Sequence, residues 1–428
     1  MHPIYFKNTT SFDDAPDKLE RVKYSCLDWS KDNAGVFYNS YPDQEGKVDG
    51  TETTKAASQR LYYHRLGTDQ SQDILIAEYP DEPEWMLEAE VSTCGLYLFM
   101  GVRKGCERTN KYFFCKMNDD KSLPANFNWI KISDDFHAQF EFMLNVGSRC
   151  FIKTNENAPN NKILEIDLEN PENRKDFIPE HGQHVLQEFS AAGKNYYLCS
   201  YLADCKDVVK RYSLEGEHLD DVSFPDMGSL VVSSKSYTDD VYFKLLGWVN
   251  PGTTYKYNVV TNTMEILRTT IVDGFDPTEF TTKQIFYASK DGTKVPMFIV
   301  HKNDLELNSE NPTILYGYGG FNVSLTPYFS TYRPLWCNEF NGVLCIANIR
   351  GGGEYGQKWH DGGKILQKQN CYDDFQAAAE YLIDSKYTNP KKLAIQGGSN
   401  GGTLVGVCFN QRPELYQAVL CHCPVILW

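Results

Sequence analysis

One strand-like run recurs five times along the first two-thirds of the chain: LYYHRL at 61–66, YFFCK at 112–116, ILEIDL at 163–168, VKRYSL at 209–214 and TYKYN at 254–258. The spacing is close to fifty residues. Each run follows a pair of shorter β-rich segments separated by turn residues, as in WSKDNAGVFYN and VSTCGLYLFMG. Several short strands repeated at that period describe a propeller blade, a unit that buries its faces only by stacking on its neighbours. Five units are predicted, with the recurring run as the last strand of each. A ring of five is one solution, although the first unit opens at the chain's edge with no closing strand. An irregular β-sandwich is the alternative, because the units match only weakly residue by residue. The partial propeller spans residues 1–272.

Residues 273–428 have a different character. QIFYA (284–288) and VPMFIVH (295–301) form a hairpin about Asp291-Gly292. The apolar runs at 312–316 and 342–349 read as buried strands. Residues 373–385 read as a helix with Phe375, Ala378, Ala379, Leu382 and Ile383 on one face, capped by Asp373 or Asp374 and followed by Pro390. A strand at 393–395, a helix at 403–410 and a strand at 418–421 complete an alternation that predicts a mostly parallel sheet covered on both faces.

The turn between that strand and helix is Gly397-Gly398-Ser399-Asn400-Gly401, a G-x-S-x-G pattern. Alone the pattern is weak and fits a structural Gly/Ser turn. Between a strand and a helix it fits a nucleophile elbow, where flanking residues must be small and the serine hydroxyl projects outward. Ser399 is the candidate nucleophile, and the Asn400 amide, opening the helix, is a candidate oxyanion donor. Tyr318, in YGYGGFN, brings a phenolic hydroxyl to a second glycine-rich loop, where the glycines would let it swing in. RGGGEYG (350–356) lacks the residues of a phosphate-binding loop and reads as a tight loop beneath the site.

A serine hydroxyl needs a base. After Ser399 the chain contains no Asp, and its one histidine, His422, lies on a strand rather than a late loop. His301 and His360 read as structural.

Taken in order, YGYGGFN, ANIRGGGEYG, WHDGG, QNCYDDF and GGSNGG closely resemble the prolyl oligopeptidase family. LERVKYSC (19–26) and GTDQSQDILIAEYPDEPEWM (67–86) extend the resemblance backward. It implies an α/β-hydrolase domain, incomplete here, and a β-propeller with about five of seven blades present. It implies a serine endopeptidase that hydrolyses short peptides after proline without metal or cofactor. Carried over, Ser399 is the nucleophile, and Tyr318 and Asn400 form the oxyanion hole. Phe321 lines the proline pocket, with Val425 as a further wall. Tyr24 and Cys106 resemble residues facing the substrate chamber, although for both the sequence alone favours ordinary packing. The resemblance also implies that two blades and a hydrolase segment precede this chain. The Asp and His loops, a stacking Trp and a substrate-holding Arg would follow it. Residues 424–428 depart from the family, and Trp428 comes too early to be the stacking residue. The expectation is that this polypeptide by itself is inactive and poorly soluble.

A formal charge of −15 argues against nucleic acid and acidic membranes as partners. No run approaches the length of a transmembrane helix. Thirteen cysteines, an odd number without CxxC or Cys/His metal spacing, read as free thiols in the cytoplasm. A monomer is expected for the complete protein. Two other readings remain open: a truncated, non-catalytic binding module, and a related oligopeptidase with a different preference at the cleaved residue.

Overall fold

The computed structural model describes residues 2–42 and 56–425; the departure noted at 424–428 therefore lies partly outside the described residues. Two compact units emerge, one of residues 1–158 and 162–179, the other of 159–161 and 180–428.

The first unit begins with an antiparallel hairpin, His2–Lys7 against Asp14–Val22. Three four-stranded antiparallel sheets follow. The first is Leu27–Trp29, Gly35–Ser40, Arg60–Arg65 and Ile74–Glu78. Its successors run from Trp85–Val91 to Ile130–Ser133 and from Phe140–Val146 to Asn170–Ile178. The second unit contributes two more, from Val185–Ala192 to His218–Val222 and from Ser229–Ser233 to Thr263–Thr269. Each sheet is a meander of sequential neighbours.

The five sheets match the five predicted units, with one correction. The recurring run is the third strand of each sheet, not the last; a fourth strand follows it every time. Burial explains the error. Second strands such as Gly35–Ser40 and Tyr196–Ala203 are buried almost throughout; in the first, Val36 and Tyr38 pack on the opening hairpin and Phe37 on the second sheet. Fourth strands such as Thr263–Thr269 are nearly all exposed, Ile266 and Leu267 included, so no buried face marks them. Where sheets stack, aromatic rings fill the gap: Phe99 and Phe142 lie 4.5 Å apart between the second and third sheets.

The remainder of the second unit is a six-stranded mixed sheet. Its strands are β1 (Phe280–Ala288), β2 (Lys294–Lys302), β3 (Thr313–Tyr316), β4 (Val343–Ala347), β5 (Leu393–Gly398) and β6 (Ala418–His422), in the order β1-β2-β4-β3-β5-β6. The hairpin β1-β2 and the pair β2-β4 are antiparallel; the other three pairs are parallel. Four helices accompany it: α1 (Tyr332–Glu339), α2 (Gly356–Asp361), α3 (Gln369–Asp384) and α4 (Asn400–Gln411). Phe375 and Leu382 of α3 and Leu404 and Val405 of α4 pack with Leu315, Cys345 and Ile395 on one face. Cys337 of α1 packs with Phe298, Leu344 and Ile346 on the other.

Two expectations need correction here. The sheet is not covered on both faces at β6, where Leu420, Cys421 and His422 are exposed. Helix α3 begins at Gln369, and neither Asp373 nor Asp374 caps it. Asp374 is instead fully buried inside the helix. Its carboxylate accepts from Arg350 Nε at 3.0 Å, Arg350 NH2 at 2.6 Å, the Arg350 backbone N–H at 3.0 Å and Ser289 Oγ at 2.5 Å. Arg350 NH1 reaches the exposed Asp291 of the β1-β2 turn at 2.6 Å, and that hydrogen bond holds the Asp291 carboxyl well below the usual carboxylate range.

Because both charged groups are out of water, removing the Asp374 charge leaves the buried Arg350 guanidinium with only the exposed Asp291 as an ionic partner. Asp374→Asn keeps the shape and removes the charge. It should destabilise the fold by about 3–5 kcal/mol in denaturant unfolding; a change near zero would contradict this role.

Candidate active site

Strand β5 points Leu393 and Ile395 into the core and ends in two glycines. Ser399 then turns the chain with φ 56° and ψ −119°, and α4 begins at Asn400. A non-glycine residue in that region costs on the order of 1–3 kcal/mol and persists only where its surroundings over-determine it. Here they do. The Ser399 N–H donates to the His422 carbonyl at 2.9 Å. The Ser399 carbonyl accepts from Gly402 at 2.9 Å, Thr403 at 3.2 Å and Val425 at 3.3 Å. A Cβ on Gly397 would stand 2.1 Å from the Gly401 carbonyl oxygen, one on Gly401 2.6 Å from that of Gly317, and one on Gly402 2.6 Å from that of His422. Small residues are thus compulsory on both sides of the bend. Ser399 is exposed, and its hydroxyl has no hydrogen-bond partner among the described residues. The Asn400 N–H, first in its helix, has no intrahelical acceptor.

The loop after β3 lies directly against this bend. Asn400 Nδ2 donates to the Tyr318 carbonyl at 2.5 Å. A Cβ on Gly317 would meet the Phe375 ring at 2.6 Å, and one on Gly320 would meet the Asn400 side chain at 2.5 Å. Gly319 has φ +63°. These glycines serve close packing, not the swinging motion expected from sequence. Tyr318 is half-buried, and its hydroxyl has no partner among the described residues. Phe321, at φ 51°, is 51% exposed on the same loop. Val425 is 40% exposed and is tied to the bend through its N–H. Tyr24 and Cys106 belong to the first unit. Tyr24 is exposed beside a cavity of about 440 Å³ that also touches Glu88, Arg103 and Glu141, and Cys106 is exposed in the turn after Tyr97–Lys104.

The histidines take backbone-supporting places. His360 Nδ1 lies 2.7 Å from the Gly351 carbonyl oxygen and 3.2 Å from the Asn322 nitrogen. His301 Nδ1 lies 2.7 Å from the Lys302 carbonyl oxygen, and burial lowers its pKa. His422 stands on β6 with its carbonyl committed to Ser399. No cluster of three or more His, Cys, Asp or Glu side chains able to hold a metal occurs among the described residues.

The Gly-rich loop after β4 forms the floor. Cβ atoms on Gly351 and Gly353 would strike the carbonyl oxygens of Gly319 and Asn322 at 2.4 and 2.5 Å. Glu354, 2% exposed, accepts through Oε1 from the Leu325 N–H at 3.0 Å and Asn348 Nδ2 at 3.2 Å, while its Oε2 has no partner. Sequence reasoning missed Glu354, Lys368 and the Arg350–Asp374 pair. The adjacent acids of QNCYDDF were the only available hint of the last.

Residues 1–270 match the family described as "Prolyl oligopeptidase, N-terminal beta-propeller domain", and residues 327–428 match "Prolyl oligopeptidase family". The chain belongs to the prolyl oligopeptidase family. Its five four-stranded sheets are blades of the family's β-propeller, and the six-stranded sheet is part of its α/β-hydrolase region. Among curated relatives, a prolyl endopeptidase of Dictyostelium discoideum is 36% identical over 425 residues, covering 95% of this chain and 56% of that protein. Prolyl oligopeptidase A of Galerina marginata is 36% identical over 407 residues, covering 93% of this chain and 55% of that protein. Prolyl oligopeptidase B of Galerina marginata, an Asp-to-Ala mutant bound to a 25mer macrocyclization substrate, superposes with a TM-score of 0.93 at 33% identity. It covers 99% of this chain and 60% of the solved one. The chain therefore spans little more than half the length of these prolyl oligopeptidase relatives.

Burial pushes the Glu354 carboxyl up to about 7 from 4.5. Below pH 4.5 the group is protonated in both folded and unfolded states. Between there and about 7 the unfolded chain has lost its proton while the fold retains it, so stability falls as pH rises through that window. The penalty, complete above about 7, is on the order of 3 kcal/mol. Glu354→Gln should flatten the dependence of urea midpoint on pH between 5 and 8; an unchanged slope would count against it.

Proposed function

We propose that this chain carries the propeller and the nucleophile of a serine endopeptidase that hydrolyses short peptides on the carboxyl side of proline, with the domain boundary at 272/273. The observation that carries the reading is Ser399, exposed at a strained bend between β5 and α4 that Gly397, Gly401 and Gly402 make possible, since a Cβ on any of them would strike backbone.

In this reading Ser399 Oγ adds to the carbonyl carbon of the scissile bond. The C=O electron pair moves to oxygen, where the Asn400 N–H and the Tyr318 hydroxyl receive it. The base that takes the Ser399 proton passes it to the scissile nitrogen; collapse then breaks the C–N bond, releases the neutral amine and leaves an acyl-enzyme, which water hydrolyses. Phe321 offers its ring to the proline, and Val425 flanks it. The reaction needs no metal or cofactor. It needs a base, and among the described residues none of the three histidines discussed above hydrogen-bonds the Ser399 hydroxyl. The polypeptide of 428 residues is therefore proposed to be inactive alone, since loss of triad members costs several powers of ten in rate. The active form is a chain extended to the length of its relatives, acting as a cytoplasmic monomer. No helix among the described residues is long and apolar enough to cross a membrane.

A fluorophosphonate probe applied to the extended form tests this directly. Labelling should vanish in Ser399→Ala, and Tyr318→Phe should lower kcat by roughly 10²–10³ on a proline-containing fluorogenic peptide. An extended form that resists the probe, or cleaves equally well after lysine, would contradict the proposal and favour a binding module or a differently selective relative.

A further inference from the structure

The Asn400 side chain is buried between the serine bend and the Tyr318 loop, and it has two polar partners. Nδ2 donates to the Tyr318 carbonyl, and Oδ1 lies 3.4 Å from Lys368 Nζ. The same ammonium donates to the Gly319 carbonyl at 2.7 Å. An ammonium has only donors, so the amide oxygen must be the atom that faces it, and the amide nitrogen is thereby directed at Tyr318. One cation thus sets the orientation of Asn400 and holds the carbonyl of the residue after Tyr318. Both proposed oxyanion donors, the Asn400 N–H and the Tyr318 hydroxyl, belong to the residues it secures.

Two further observations set Lys368 apart from ordinary surface lysines. It is half-buried and forms no ion pair among the described residues; its hydrogen bonds go to neutral oxygens, so its charge is not cancelled by a carboxylate. It also occupies the N-cap position of α3, a helix of 16 residues, without supplying a side-chain cap. Positive charge at a helix N-terminus opposes the helix dipole. The fold accepts that local cost where the ammonium can reach the loop beside Ser399.

We infer that Lys368 is a positioning residue for acyl transfer at Ser399: it locks Asn400 and the Tyr318 loop into one register and adds an uncancelled positive charge beside the developing oxyanion. This rests on the hydrolase reading of Ser399. It predicts that Lys368 matters to the transition state more than to the bound substrate.

The test uses the extended form with Lys368→Met and Lys368→Arg, after the parent's labelling by the fluorophosphonate has been measured. K368M should lower kcat about 10- to 100-fold with KM within about twofold, since it weakens oxyanion stabilisation without touching the substrate. A peptide aldehyde ending in prolinal, whose adduct carries an oxyanion, should lose affinity in parallel, while a product peptide ending in proline should not. K368R should recover most of kcat. A K368M enzyme with kcat within twofold of a labelled parent overturns the inference. So does one whose kcat, product affinity and Tm all fall together, which marks a merely structural lysine. A parent that the probe does not label overturns the hydrolase reading itself, and this inference with it.

Discussion

The close approach of three backbone segments around Ser399 is the constraint on which the rest of the site depends. Residues 397–402 make the bend, 317–320 press on one side of it, and 422–425 hold the other through the bonds of Ser399 to His422 and Val425. Outward movement of 422–425 breaks the hydrogen bonds of Ser399 to His422 and Val425, and the close contacts at Gly317, Gly320, Gly397, Gly401 and Gly402 leave no room for a Cβ. The strain at Ser399 is thus held by geometry on every side, and the hydroxyl is left facing solvent without a competing partner. In the proposed reading, that exposure and strain suit Ser399 to act as the nucleophile.

Beneath this lies a second layer with a different physical character. The floor under the Tyr318 loop is the glycine run 351–353, and that floor is anchored by charge. Arg350 is fixed on three sides by the buried Asp374, its neighbour Ser289 and the exposed Asp291. Glu354 holds Leu325 and Asn348 from within the same loop. Apolar packing positions the strands to within their width. The buried polar contacts then fix where along each strand the loops leave, because each has only one arrangement that satisfies its partners. The site therefore combines steric exclusion at the glycines with directional bonding at the ionic residues.

Much of this was legible in the sequence, and the failures share one cause. Period and burial made the five blades visible, because their second and third strands carry apolar residues that must be hidden. The fourth strands went unseen, because Thr263–Thr269 faces solvent and its apolar residues, Ile266 and Leu267 among them, line no buried face. The serine bend was legible because its requirement is local: small residues, a strand in and a helix out. Asp374 was misread as a cap because its charge is satisfied by Arg350, 24 positions earlier, through a contact that no local pattern encodes. Lys368 and Glu354 were missed for the same reason. Their partners lie on other loops, and a lysine before a helix or a glutamate after glycines carries no signature of what it touches. The glycines of YGYGG were recognised but given the wrong role, since sequence shows freedom of φ and not the atoms that crowd a missing Cβ.

The central claim is that Ser399 and the two donors beside it converge on one oxyanion. The most direct measurement is a crystal structure of the extended form after reaction with a peptidyl phosphonate ending in a proline analogue. The account predicts phosphorus bonded to Ser399 Oγ, the Ser399 φ still positive, and the phosphonyl oxygen about 2.7–3.1 Å from both the Asn400 nitrogen and the Tyr318 hydroxyl oxygen. A phosphonyl oxygen directed away from both donors, or a bend relaxed into regular helix on reaction, would contradict it.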